Sequence, residues 1–267
     1  MERPTWAGTE IDLQRPSAAR VYDVHLGGSH NFQADRDVAR RITDAMPELP
    51  AILRANRNFL RRAVRHLVAD GVTQFLDLGS GIPTAGTVHE VAWRADPACR
   101  VVYVDTDAVA VAHSRALVAG ADRAAAVHAD LRRPDDVLNA PETVRLLDFT
   151  RPVAVLMVAV LPFVPDEDDP AGLIRRYLGP AAPGSRLVVS HATQEGSEEH
   201  YAEATDHFRR CVGEFAVRTR AEVAGLFGDL TLVDPGVVYL TEWRPDPGEE
   251  DADPRRTSTF AAVGRKG

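Results

Sequence analysis

Three aspartates close the apolar runs "VTQFLDL" (72–78), "RVVYVD" (100–105) and "AAAVHAD" (124–130), namely Asp77, Asp105 and Asp130. The first run passes straight into "GSGIPT", which places Gly79 and Gly81 one residue apart. A carboxylate buried alone in apolar surroundings is costly. One aspartate after a strand commonly caps the next helix, and Asp107 reads that way. Acids at the ends of successive strands, beside a turn that gives up its side chains twice, point to a ligand site. Glycine there lets the backbone turn sharply and approach a ligand without a Cβ in the way.

The ligands such a turn serves differ in charge. A phosphate-cradling loop of the GxxxxGK[ST] kind has its spacing in Gly81–Gly86, but Thr87 and Val88 follow, so the lysine and the metal-binding hydroxyl are missing. A dinucleotide turn wants GxGxxG, and the third glycine position holds Thr84 after Pro83. Pyrophosphate would also meet repulsion from Asp77. S-adenosylmethionine carries a sulfonium, an ammonium, a ribose and an adenine, and no phosphate. A carboxylate at Asp77 then faces cationic groups. Asp105 can accept from ribose hydroxyls, each charged hydrogen bond being worth about 1.5–3 kcal/mol, and Asp130 from the adenine amino group.

Elements must bring these residues to one edge. After Gly71, the three runs above and "VAVLMVAV" (153–160) and "RLVVSH" (186–191) alternate with helix-compatible segments. Continuous apolar strands separated by helices predict a parallel sheet covered on both faces. Ligands bind at the carboxyl ends of such strands. Two extended runs, 230–243 and 257–264, follow with no helix between them and read as an antiparallel pair. The fold class is therefore α/β: a doubly wound, seven-stranded, mostly parallel sheet, Rossmann-like. Residues 16–70 read as helices instead. Val38, Ile42 and Met46 repeat at helical spacing, as do Ile52, Phe59, Ala63 and Leu67. The division is a flexible 1–15, an N-terminal helical lobe 16–70 and a ligand-binding α/β domain 71–267.

Composition narrows the partners. The net charge of −8 provides no positive field for a nucleic-acid backbone. The longest apolar run, 153–164, is too short to span a bilayer and contains a proline. Only Cys99 and Cys211 carry thiols, and no apolar leader stands at the N-terminus, which suits a reducing cytoplasm. No histidine pair has metal-ligand spacing with a third ligand nearby, so no metal is expected.

Taken together, "PSAARVYDVHLGGSHNFQADR" (16–36), "ANRNFLRRAVRHL" (55–67), "FLDLGSGIPT" (75–84), "VVYVDTDAVAVAHSRAL" (101–117), "VAVLPFVPDEDDP" (158–170), "RTRAEVAGLF" (218–227) and "LTEWRP" (240–245) resemble a known group. They are similar to the class I S-adenosylmethionine-dependent methyltransferases, and more narrowly to the bacterial S-adenosyl methyltransferase family first catalogued as a domain of unknown function. The resemblance implies a seven-stranded sheet whose last strand is antiparallel. It implies Asp77, Gly79, Ser80 and Gly81 as the cofactor loop, and Asp105 with Thr106 at the ribose. Asp130 with Leu131 would neighbour the adenine, and the backbone of Ala159 and Val160 would line the cofactor.

The lobe segment "YDVHLGGSHNF" reads as a lid, with Tyr22, Asn31 and Phe32 over the cofactor and Asn31 or Arg57 pairing with its carboxylate. The alternative is a glycine pair that only ends a helix and an arginine on a helix surface. His191, ending the fifth strand, is the first candidate for a general base, with His25 and His30 next. The acceptor expected is a small molecule. A regulatory protein that binds S-adenosylmethionine or S-adenosylhomocysteine without catalysis, or an NAD-dependent oxidoreductase, stands as the alternative.

Overall fold

The computed structural model describes residues 12–84, 86–195, 198–249 and 251–267. Most of the segment expected to be flexible, 1–15, lies outside the described residues. In chain order the elements are α1 (Ala18–His25), α2 (Gln33–Ala45), α3 (Leu49–Ala69), β1 (Gln74–Leu78), α4 (Val88–Ala95), β2 (Arg100–Asp105), α5 (Ala108–Leu117), β3 (Ala124–His128), α6 (Pro134–Leu138), α7 (Pro141–Leu146), β4 (Ala154–Val158), α8 (Pro170–Leu178), β5 (Arg186–Ala192), α9 (Glu198–Cys211), α10 (Arg220–Gly225), β6 (Thr231–Leu232), β7 (Val238–Tyr239) and β8 (Thr259–Arg265).

The strands run β3-β2-β1-β4-β5-β8-β6, with β7 also on β8. The pairs from β3 through β5 are parallel, and β8 runs antiparallel to β5. Strand order reverses between β1 and β4, which is where such a sheet opens a crevice at its carboxyl edge. The expected terminal hairpin is corrected in one respect. The 230–243 run is interrupted by the Asp234–Pro235–Gly236 turn, so it contributes two short strands, β6 and β7, to the same partner.

Side chains alternate between two apolar layers, as a strand's period of two demands. Phe75, Val101, Leu156 and Val188 face a cluster that also holds Ile42, Phe59 and Leu67 of α2 and α3. Leu76, Val102, Val155 and Leu187 face the opposite cluster, with Val137, Leu146, Ile174 and Val223 from α6, α7, α8 and α10. The N-terminal helices are thus cemented to one face of the sheet. Their ends follow local chemistry. Ser17 caps α1 through its side chain, Thr219 and Glu222 form a capping box on α10, and Asp107 accepts from the amides of Val109 and Ala110 at the start of α5. No helix among the described residues is long and apolar enough to cross a membrane.

Candidate active site

A cavity of about 260 Å³ opens over the carboxyl ends of β1, β2 and β4, between the sheet and helices α1, α3 and α9. Its floor is the glycine turn. Gly79 and Gly81 have φ of +72° and +65°, a region where a side chain is strained. At Gly79 a Cβ would also stand 2.2 Å from Val160 Cγ2, so the turn and the β4 tip pack backbone to side chain. The amides of Gly79 and Ser80 donate to Val104 O, and the Gly81 amide donates to Asp105 Oδ2 at 2.7 Å. Asp105 Oδ1 accepts from the Asp107 amide at 2.8 Å. Asp105 therefore locks the turn onto the end of β2, and each oxygen keeps a lone pair for a ligand. Burial raises its pKa, against these amides, which lower it.

Asp77 shares the Phe75 face of β1 and borders the cavity. No hydrogen-bond partner of its carboxylate is present among the described residues. Burial pushes its pKa up to about 7, with the Arg57 charge opposing and Asp105 adding to the rise. Arg57, on α3, also borders the cavity. Its Nε is buried without a partner, and no ion pair of its guanidinium is present among the described residues. A carboxylate and a guanidinium, neither neutralised by a hydrogen-bonded partner, thus face one volume.

The β4 tip carries a second anomaly. Ala159 has φ of +56°, in the left-handed region. Its amide is held by Ser190 O at 3.2 Å and Ser190 Oγ at 2.9 Å. Ser190 Oγ donates to Asn56 Oδ1 at 2.6 Å, Asn56 Nδ2 to Tyr22 Oη at 3.0 Å, and Tyr22 Oη to Leu53 O at 3.2 Å. This chain of bonds runs from β4 through β5 and α3 to α1. Strained backbone persists only where its surroundings over-determine it, and here they do.

Of the residues expected from the sequence, the cavity brings together Tyr22, Arg57, Asp77, Gly79, Ser80, Gly81, Asp105, Thr106, Leu131, Ala159 and Val160. Others lie elsewhere. Asn31 is corrected to a loop-building role: its Nδ2 donates to Asp23 Oδ2 and Gly28 O, and Arg36 donates to its Oδ1. Asp23 packs so tightly on Gly28 that a Cβ there would be 1.9 Å from Asp23 Oδ1. Phe32 is corrected to a packing position with Ile82, Val109 and Ala110 and does not itself line the cavity. Asp130 turns to Arg132, at 2.6 Å, and that pairing holds its carboxylate below the usual range despite the opposing effect of burial, so its side chain leaves the cavity.

His191 is corrected too. It sits on the Leu187 and Val189 side of β5, opposite the cavity, and is fully buried. Its Nδ1 lies 2.8 Å from Ala192 O and its Nε2 2.6 Å from Arg218 Nη1. Burial first, and the Arg218 charge, drop its pKa to about 4 although the Ala192 carbonyl opposes. Arg218 also donates to Leu161 O and Val164 O, and so binds down the loop after β4. This clamp was not anticipated. Nor was the Ser190–Asn56–Tyr22 chain, whose members only tertiary structure joins. An aromatic wall of Phe163, Phe208 and Phe215 was missed as well.

An α/β sheet of this order with a glycine turn and an acid at the next strand tip defines a nucleoside-binding enzyme of the class I methyltransferase type. The chain belongs to the S-adenosyl methyltransferase family, whose family model matches residues 4–267. Two solved structures resemble it along nearly their whole length. A methyltransferase candidate from Thermobifida fusca YX is 38% identical, with 98% of this chain and 99% of that one covered and a TM-score of 0.92. A DUF574 family protein from Streptomyces avermitilis is 38% identical, with 96% and 99% covered and a TM-score of 0.93. The N-methyltransferase NodS from Bradyrhizobium japonicum, solved with S-adenosyl-L-homocysteine, shares the fold at 14% identity, with 86% and 97% covered and a TM-score of 0.51. No curated protein matches. The family decides among the ligands left open by the glycine turn: this is an S-adenosylmethionine-dependent methyltransferase, not a nicotinamide oxidoreductase.

Proposed function

We propose that the cavity over β1 and β4 is the S-adenosylmethionine site and that its remaining volume receives a small-molecule acceptor. The observation that carries this is the pair Arg57 and Asp77, which border one cavity from α3 and from β1, neither with a hydrogen-bonded partner among the described residues. Opposite charges held apart suit a zwitterion, and the methionyl end of the cofactor is one. A guanidinium matches the geometry of its carboxylate, and Asp77 its ammonium. Asp105, at the end of β2, retains acceptor capacity for the ribose hydroxyls. Ile82 and Leu131 offer apolar surface to the adenine.

Bound there, the cofactor supplies a methyl group on sulfur already activated for displacement. The chain's own contribution is to align the acceptor and keep water away. Helices α1 and α3 roof the cavity with Tyr22, Leu26, Leu53 and Leu60, which supports the lobe's reading as a lid over the α/β domain. Enclosure between roof and sheet favours a small acceptor over a polymer, and so does the net charge of −8 against nucleic acid.

Isothermal titration with S-adenosylmethionine, S-adenosylhomocysteine and NAD, each alone, tests the reading. Both sulfur ligands are expected to bind, Asp105→Ala is expected to abolish that binding, and NAD is expected to give no heat. Equal affinity of wild type and Asp105→Ala for the sulfur ligands would refute the site.

A further inference from the structure

The cavity is divided by chemistry. The carboxyl and guanidinium groups that border it, among the described residues, are Arg57, Asp77, Asp105 and Asp107. The three acids gather at the ends of β1 and β2, and Arg57 acts on Asp77. Asp107 is already engaged by Arg20, at 3.3 Å. Away from that edge the wall carries no carboxylate or guanidinium and is mainly apolar, with Asn56, Tyr201, Thr205 and Thr259 as neutral polar members. Met46, Leu49 and Ile52 line it from the N-terminal helices, and Phe163, Phe208 and Phe215 from the loop after β4, from α9 and from the segment that follows α9. Phe208 and Phe215 stack with centroids 4.8 Å apart, and Phe163 meets Phe215 edge-on at 5.3 Å. Phe163 and Phe208 remain only half-buried. The rings thus form a partial stack that borders the cavity and is not fully covered.

We infer that the acceptor is an uncharged molecule built on a flat aromatic ring, seated against Phe163, Phe208 and Phe215. The inference rests on the proposed cofactor site and names the class of substrate beside it. An added ring extends an aromatic stack in the offset or edge-on geometry such rings prefer. A carboxylate or ammonium in the same place would be desolvated without a counter-ion, which is strongly unfavourable. His25 also borders the chamber, with Nδ1 3.3 Å from Thr43 Oγ1. Burial lowers its pKa to about 4, so it adds no positive charge at neutral pH.

The test is calorimetry on the full chain saturated with S-adenosylhomocysteine, which permits binding without turnover. The probes are 2-naphthol, 2-naphthoate and 2-naphthylmethylammonium, alike in ring and different in charge. The neutral probe is expected to bind at least about tenfold more tightly than either ion. Phe208→Ala, at a half-buried position, is expected to weaken 2-naphthol about tenfold or more, with Phe208→Leu between it and wild type. Retained S-adenosylhomocysteine affinity in both variants shows that they are folded. Equal or tighter binding of either ion, or no binding of 2-naphthol to the saturated protein, overturns the inference while the cofactor site stands. Failure of S-adenosylhomocysteine itself to bind overturns the cofactor reading and this one with it.

Discussion

Asp77 connects cofactor affinity to pH in a way that can be worked out in advance. Its carboxyl is buried and its pKa stands at about 7 without ligand, raised by desolvation. Only the ionised form attracts the ligand's ammonium. The ionised fraction is roughly one-eleventh at pH 6 and ten-elevenths at pH 8, so affinity should rise about tenfold across that interval. Asp77→Asn should show no such rise. The assay is calorimetry with S-adenosylhomocysteine on both proteins from pH 6 to pH 8, and the quantity of interest is the ratio of their affinities. That ratio cancels titration of the ligand and of every other group. Stability should move in the opposite sense. The folded state holds the Asp77 proton to about pH 7, whereas the unfolded chain releases it near pH 4, so between those values the folded state binds more protons and its stability falls as pH rises. The loss approaches about 4 kcal/mol once the group is ionised in both states. Ligand-free Asp77→Asn should then be more stable than wild type at pH 8 and nearly equal to it at pH 4. A ratio of affinities that stays flat from pH 6 to pH 8 would refute the reasoning.

Four further outcomes are expected. Arg57→Met should weaken S-adenosylhomocysteine binding by about one to two orders of magnitude, the value of a charged hydrogen bond, while an analogue lacking the carboxylate loses little; calorimetry with both ligands checks it. Gly79→Ala should destabilise far more than Gly81→Ala in urea unfolding, because Gly81 meets only the left-handed penalty of about 1–2 kcal/mol whereas Gly79 also strikes Val160. Ser190→Ala and Asn56→Ala should each lose about 1–3 kcal/mol, and the double variant less than their sum, since both break one chain of bonds. His191→Ala should lower stability by emptying a fully buried site and removing one of the four partners of Arg218, which keeps Asp166, Leu161 O and Val164 O, yet leave cofactor affinity unchanged, as titration at constant folding would show.

What could be read in the sequence was local. The helices of the lobe, the β1–β5 runs and the glycine turn announce themselves through periodicity, capping residues and positions that only glycine fills. That Asp77, Asp105 and Gly81 border the cavity was legible because a strand tip exposes its residues wherever the sheet goes. His191 was misread although the needed signal was present: strand alternation puts it on the Leu187 face, and Ser190 and Ala192 on the cavity side. Asp130 was misread because Arg132, two residues on, competes for it more closely than any ligand. Asn31 was misread because Asp23, Gly28 and Arg36, all within eight residues, take up its side chain. The Ser190–Asn56–Tyr22 bonds depend on partners distant in the chain, Asn56 and Ser190 being 134 positions apart, and no spacing encodes them.

That same sequence of bonds has a mechanical consequence. Tyr22 belongs to the roof, and Ala159 to the floor beneath it. Between them stand Asn56 and Ser190, with no slack: every link is a direct hydrogen bond of 3.0 Å or less. Lifting α1 away from α3 to admit a large molecule must release Tyr22 from Asn56, and the tug passes on to the one backbone unit at the β4 tip that is held against its preference. Door and floorboard are joined by one rod. The two Ser190 bonds to the Ala159 amide outlast that release, so the floor stays nailed at its own end and gives up only its tie to the door.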